Sequence, residues 1–307
     1  MALRGFLEGN SNTLPIMVVA IMGIGANVAL NYTLMFGMFG FPKLGLVGTG
    51  YASSIVYTCG FLLLAGYVYW KYQKDHVFRG IRTPNFAMIS ELFRVGGPIG
   101  MTLGFEMGMF SAAAIAMGTL SDNELAAHQI ALQTASTSFM IPLGIAIATS
   151  VRVGQAVGRN AIEDAKVAGF TGMAACSAVM SLFAALFWLF PTSIISIYID
   201  LHDAKNLPVV EFATSFLAFA ALFQIVDGLQ VAASNALRGL KDTTAAMILT
   251  LISYWGFGAP AGAILCFSFD LRGNGLWLGM TVGLAAAAIL LTIRFQSQIN
   301  RAHKCLD

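Results

Sequence analysis

"ALRGLKDTTAAM" occupies Ala236–Met247, and its first four letters also open the chain, in "ALRGFLEGNSNTLP" at Ala2–Pro15. Four shared letters carry little weight alone; the order of segments downstream of each copy carries more. After the first copy come an apolar run, the turn "GFPKLGLVGTGYASS" at 40–54, and a second apolar run. After the second copy come an apolar run, the turn "FDLRGNGLWLGMTVG" at 269–283, and again an apolar run. Both units read ALRG, span, glycine-rich turn, span. Four apolar runs precede the second copy, and none precedes the first. If the unit is a six-helix lobe, a complete copy fills residues 93–295. Residues 1–70 then hold a partial copy of two helices, with about four helices expected upstream of Met1.

Composition makes these runs membrane spans. The 307 residues are 57% hydrophobic and 10% charged, with a mean hydropathy of +0.76. Soluble domains carry about 25% charged residues. Lipid is therefore the solvent for most of the chain. A crossing helix needs about 20 apolar residues, and eight runs qualify, at 14–38, 45–70, 93–118, 124–150, 167–198, 209–236, 243–268 and 274–294. The expected fold class is an all-α integral membrane protein, a polytopic helix bundle with eight transmembrane helices. Pro142, Pro191 and Pro260 lie in or near spans and are expected to bend them.

Charge sets the direction. With the N-terminus inside, fourteen of the 17 Lys and Arg residues fall in inside segments. Only Lys43, Lys205 and Arg272 fall outside. The positive-inside rule then places both termini in the cytoplasm. Residues 71–92 form the one long polar stretch and read as a cytoplasmic linker between lobes, within which Lys71, Lys74, Arg79 and Arg82 suit anionic headgroups. Residues 296–307 read as a cytoplasmic tail. Met1–Thr13 is polar and does not read as a cleavable leader. The net charge of +2 gives no reason to expect nucleic acid. Cys59, Cys176 and Cys266 sit in apolar runs and read as buried thiols; no zinc spacing is present.

Two acids depart from the pattern. Glu106 lies in mid-span in "VGGPIGMTLGFEMGMF", and Asp227 in "FQIVDGLQVAASNALRG". A charge at mid-bilayer costs about 2.5–3.5 kcal/mol on insertion scales, so each must face a cavity, a partner or a proton. Gly100, Gly104 and Gly108 recur every fourth residue and read as a close-packing face, with Glu106 pointing away from it. Asp227 reads with Gln224, Gln230 and Ser234 as one polar face. Such a face suits a hard cation held by carboxylate and amide oxygens, proton exchange on a carboxyl removed from water, or a ladder of structural hydrogen bonds. His128 and Gln129 open the next span, where Gln129 and Gln133 share a face, as Asn27 and Asn31 do in the first span. Met101, Phe105, Met107, Met109 and Phe110 surround Glu106. There is no GxxxxGK[ST] loop and no Ser-His-Asp or HExxH pattern, so neither an ATP motor nor an enzyme is expected.

The ordered segments "NVALNY", "GGPIGMTLGFE", "AAHQIA", "VRVGQAVGRN", "FQIVDGLQ" and "ALRGLKDT" together resemble the bacterial branch of the multidrug and toxic compound extrusion (MATE) family, across essentially the whole chain. The resemblance implies a two-lobe fold of twelve helices, of which this chain would hold the last eight. It implies a secondary antiporter of the bacterial inner membrane, monomeric at full length, that exports cationic amphipathic compounds in exchange for Na+ or H+ and needs no cofactor. Matched by motif, Glu106 and Asp227 would bind the coupling cation, Na+ if a metal ion is used. Gln129 and Phe110 would line the substrate cavity, and Asn27 and Asn31 would be polar residues of the partial lobe. Phe223 stands where some sodium-coupled relatives have tyrosine, which weakens the case for direct cation coordination at that point. Two other readings compete. A lipid or polysaccharide-precursor flippase of related fold would want Lys or Arg in mid-span, and none is there. A truncated fragment would not transport.

Overall fold

The computed structural model describes residues 2–38, 40, 42–73, 85–201 and 203–304. Lys74, Arg79, Arg82 and half of the expected linker lie outside the described residues, as does the end of the tail. Among the described residues the regular structure is helical. Lipid cannot hydrogen-bond a bare backbone, so apolar segments satisfy their N–H and C=O groups internally. The helices are α1 (Ala2–Gly9), α2 (Leu14–Phe36), α3 (Leu46–Lys71), α4 (Phe86–Leu120), α5 (Asp122–Gly158), α6 (Ile162–Leu189), α7 (Pro191–Ile195), α8 (Leu207–Gly239), α9 (Thr243–Ser268) and α10 (Arg272–Lys304). Eight of them are long and apolar enough to cross a membrane. They coincide with the eight runs read from the sequence. α4 starts earlier than its apolar run because Phe86–Leu92 contains neither Gly nor Pro and carries good helix formers.

The chain divides into two compact units, Met1–Asn85 and Phe86–Asp307. In the first unit, α1 carries the first ALRG and packs on α3 through the Phe6–Tyr72 ring pair at 5.2 Å. Asn12 Nδ2 donates to the Tyr67 and Tyr72 hydroxyls at 3.1 and 3.3 Å. α2 and α3 meet closely: a Cβ at Gly48 would lie 2.7 Å from the Leu34 carbonyl oxygen. Cys59, expected to be buried, is exposed on α3. Among the described residues of its unit α3 packs on α1 and α2.

The second unit is built around α8, which packs against α5, α6 and α10 and is lined with Ala232, Ala233 and Ala236, all fully buried. The second ALRG ends this helix. The turn after it leads into α9 and α10, and a glycine again sets the approach, since a Cβ at Gly275 would lie 2.6 Å from the Cys266 nitrogen. The same packing device thus follows both copies of ALRG.

α9 is not a uniform α-helix. Ile252–Gly258 and Ile264–Ser268 are π-helical and flank the α-helical turn Ala259–Ala263. Pro260 lacks the N–H that an α-helical bond to Gly256 would use, and a widened turn is one way a helix absorbs that loss. The widening faces Gly258 and Gly262 toward α10. Gly279 on α10 comes so close that its Cβ would lie 2.2 Å from the Gly262 Cα.

The glycine face of α4 behaves differently from the sequence reading. A Cβ at Gly100 or Gly104 would meet nothing within 4 Å, and only Gly108 is close to a neighbour, 3.2 Å from Trp255. Spacing shows which residues share a face, but it does not show which face a neighbour covers.

Charged pairs mark the two ends of this unit. At one end Lys241 meets Glu91 at 2.6 Å, and Asp242 accepts from Arg294 at 2.7 Å and from Gln298 at 2.6 Å. At the other, Ser121 caps α5 by accepting from the Glu124 N–H at 3.2 Å. The Glu124 side chain is fully buried and meets the half-exposed Arg272 guanidinium at 2.6 Å. Removing one partner leaves a buried charge unmatched, at a cost of about 2 kcal/mol. Arg272→Gln is therefore expected to lower the thermal midpoint in detergent by several degrees. Adding Glu124→Gln should recover most of the loss. A double variant as unstable as the sum of the two singles would show that the pair does not interact.

Candidate functional site

The site grows from three helix faces. On α4, Thr102, Glu106 and Phe110 follow one another at four-residue spacing and line one wall of a cavity of about 360 Å³. On α5, Leu132, Ser136 and Phe139 line a second wall. On α8, Phe223, Asp227, Gln230, Ser234 and Arg238 line the third. At 100° per residue these five fall within about 80° of one another around α8, a single stripe. Gly228 explains how the stripe is aimed. A Cβ there would lie 2.8 Å from Met180 and 2.9 Å from the Cys176 carbonyl oxygen. The bare backbone at Gly228 presses α8 onto α6 and so turns Asp227 toward the cavity.

The structure thus brings Glu106 and Asp227 to one cavity. Asp227 is 7% exposed and Glu106 is half-buried. Among the described residues no side chain donates a hydrogen bond to either carboxyl. The rest of the wall is apolar and aromatic. Phe110 and Phe223 meet edge to face at 6.1 Å, and Phe223 meets Trp277 at 5.8 Å. Behind Trp277 stands His128, fully buried, with its ring 5.5 Å away. Among the described residues neither His128 ring nitrogen has a hydrogen-bond partner, nor has the Trp277 indole N–H. Met107 also lines the cavity, whereas Met109 turns into the core.

Four residues singled out from the sequence stand elsewhere. Gln224 is buried but does not line the cavity. Its Oε1 accepts a hydrogen bond from Ser138 Oγ on α5. The reason is rotational: Gln224 lies about 60° around α8 from Asp227 and about 120° from Gln230. The polar face read as one stripe is therefore two. Gln129 is exposed; it lies on the helix face that holds Leu132 and Ser136 further along α5. Asn27 and Asn31 belong to the first unit, where Asn31 Nδ2 donates to Asn27 Oδ1 at 2.8 Å.

One residue the sequence reading missed belongs to the site. Arg238 was counted with the inside charges at a helix end, yet it lines the same cavity as Glu106 and Asp227. The signal was present: Arg238 lies eleven residues after Asp227, about three helical turns, so it returns to the same face. The mid-span absence of Lys and Arg therefore does not extend to the cavity wall. Arg238 lines the cavity with Glu106 and Asp227, but among the described residues neither carboxyl is ion-paired with it or with another cation. Aromatic faces beside such a carboxylate suit an organic cation, which gains from both.

The MatE family model matches residues 98–264 of this chain, all within the second unit. The chain is 41% identical over 301 residues to the Probable multidrug resistance protein NorM of Brucella suis biovar 1 (strain 1330), covering 97% of this chain and 64% of that protein. It is 41% identical over 303 residues to the protein of the same name from Pseudomonas aeruginosa PAO1, covering 98% and 62%. The chain thus spans just under two thirds of the length of these curated relatives. Among solved structures, a eukaryotic MATE transporter, AtDTX14, superposes with a TM-score of 0.84 at 24% identity, over 99% of this chain and 68% of that one. A multidrug resistance MATE family transporter of the MOP superfamily in an outward-facing conformation gives 0.84 at 20% identity, over 98% and 66%. At those identities the likeness is one of fold.

Proposed function

The chain belongs to the MatE family, and on that premise we propose that it works as a multidrug efflux antiporter, exporting cationic amphipathic compounds against an inward flux of Na+ or H+. It is a multi-pass membrane protein, and we place both termini in the cytoplasm. The reading rests on one observation: Glu106 and Asp227 share an aromatic-walled cavity in which Arg238 is the one basic residue among the described residues. The cavity's size is at the lower end of the range for drug-sized ligands.

The mechanism is competition. An organic cation entering the cavity places its apolar body on Phe110, Phe223 and Met107 and its charge near Asp227 and Glu106. Na+ or a proton arriving from outside occupies the same carboxylates and removes the charge that held the organic cation. Export follows if the drug-loaded and ion-loaded forms prefer opposite conformations of the transporter, because coupling is a difference in affinity between two states. Na+ would be held by carboxylate oxygens of Asp227 and Glu106 with help from the Gln230 amide; Phe223 offers no oxygen. A proton needs only the carboxyl. A phosphate-bearing precursor would meet two carboxylates for one arginine, which disfavours flippase chemistry in this cavity.

The test is transport in proteoliposomes holding the purified chain and an imposed Na+ or proton gradient. A cationic dye-like drug should accelerate dissipation of one of the two gradients. No acceleration for either gradient by any cationic drug tried would remove the antiport reading. Translocation of an undecaprenyl-type precursor lipid in its place would favour the flippase.

A further inference from the structure

We propose that a groove between α6 and α10, at the end of the second unit that holds Asp242 and Glu163, binds the headgroup of an anionic phospholipid. The groove has a volume of about 620 Å³. It is distinct from the carboxylate cavity and shares no residue with it. Its α10 wall carries Ile293, Gln296, Asn300, Arg301 and Lys304, and Phe170 of α6 closes the other side.

The groove exists because of a glycine. A Cβ at Gly169 would lie 2.3 Å from the Phe295 ring. With no side chain there, Phe295 seats on the α6 backbone and its ring meets Phe170 at 5.7 Å. The next turns of α10 then run alongside α6 with a cleft between them.

Chemistry along the groove changes from apolar to basic. Ile293 is 61% exposed and stands beside Arg294, whose pairing with Asp242 marks the level where charge begins. Arg301 lies about 10 Å beyond Arg294 along the helix and Lys304 about 15 Å. The polar headgroup zone is about 5–8 Å deep on each side of the bilayer. Helical side chains tilt toward the N-terminus, so both long cations lean back toward the lipid: Arg301 reaches that zone and Lys304 approaches its outer edge. Their charges are not consumed locally. Glu163, on the first turn of α6, is met by Lys166 at 3.5 Å and His303 at 3.6 Å. No carboxylate among the described residues pairs with Arg301 or Lys304. Gln296 and Asn300, joined by a 2.8 Å hydrogen bond, add amide groups between the apolar and basic ends. Two cations without an ion-pair partner among the described residues, above an exposed apolar wall, fit a phosphodiester with acyl chains attached. A basic pocket between transmembrane helices on the inner side is the usual form of such a site. A soluble anion would use the cations and gain nothing from Ile293 and Phe170.

The test is native mass spectrometry of the purified full chain, titrated with phosphatidylglycerol or phosphatidylcholine of the same acyl chains. Phosphatidylglycerol is expected to be retained roughly tenfold better. Arg301→Gln/Lys304→Gln should lose that preference, Arg301→Lys should keep it, and Lys205→Gln at the opposite end should leave it unchanged. Equal retention of the two lipids, or a preference untouched in the double variant, would overturn the proposal. So would equally strong capture of soluble glycerophosphoglycerol. All these readouts are independent of transport.

Discussion

Asp227→Asn should reduce gradient-driven drug efflux to the level of empty vesicles while the protein still inserts and folds. Asn occupies nearly the same volume as Asp and keeps its polarity, but it carries no charge and binds no proton. Asp227 is buried at 7% exposure with no hydrogen-bond donor among the described residues, so no folded-state contact is broken. Stability should hold or rise slightly, because a carboxylate no longer has to be kept out of water. Exchange should vanish because neither Na+ nor a proton can compete at an amide as at a carboxylate. Coupling between two ligands is typically about 1–3 kcal/mol, or about 5- to 150-fold in affinity, and the proposed mechanism expects the share carried by Asp227 to be lost. Glu106→Gln should impair exchange less, since Glu106 is only half-buried. Efflux by Asp227→Asn at the wild-type rate and normal expression would contradict the mechanism.

Gly279→Leu is expected to prevent recovery of folded protein. Its Cβ would lie 2.2 Å from the Gly262 Cα, 2.3 Å from the Gly262 nitrogen and 2.9 Å from the Gly258 carbonyl oxygen. All three are backbone atoms, which cannot swing aside as a side chain can. α9 and α10 would have to separate, at a cost above the usual 1–3 kcal/mol of overpacking. The fully buried Trp277 lies one half-turn away on α10 and would move with it. The contrasting variant is Gly104→Ala. Nothing lies within 4 Å of its added methyl, and Ala is a better helix former by up to about 1 kcal/mol. Size-exclusion profiles and thermal midpoints in detergent should show loss of the monodisperse peak for the first variant and an unchanged or raised midpoint for the second. A normal profile for Gly279→Leu would mean that α9 and α10 can part without cost to the fold.

The contrast between these glycines shows where sequence reading stops. Gly100, Gly104 and Gly108 have the spacing of a packing face, yet two of the three meet no neighbour within their reach. Gly258, Gly262, Gly279 and Gly283 have the same spacing and bring the α9 and α10 backbones into direct contact. Spacing is local, while the neighbour is set by the whole bundle. The eight spans were legible because lipid imposes a length and a polarity that a short window of sequence reveals. The two ALRG copies were legible as a repeat because each precedes the same order of span, turn and span. Glu106 and Asp227 stood out because an acid in mid-span is costly anywhere. Their meeting at one cavity was not legible, since it depends on Gly228 turning α8 against α6. Gln224 was grouped with Asp227 because three-residue spacing is roughly one helical turn. The remaining 60° is enough to send it to Ser138 instead. Arg238 is hidden among the inside charges because positive charge near a helix end has a ready explanation in topology. A residue can satisfy that rule and still line a cavity.

The most direct test of the central claim, that one set of carboxylates serves both the organic cation and the coupling ion, is equilibrium binding. A fluorescent organic cation is titrated onto the purified chain in detergent. NaCl is exchanged for KCl at constant ionic strength, and in a second series the pH is lowered. Shared carboxylates predict that the apparent Kd rises with Na+ or with acidity, that the rise is competitive, and that Asp227→Asn removes it. An organic-cation affinity indifferent to both Na+ and pH, in a chain that still binds the dye, would contradict the claim.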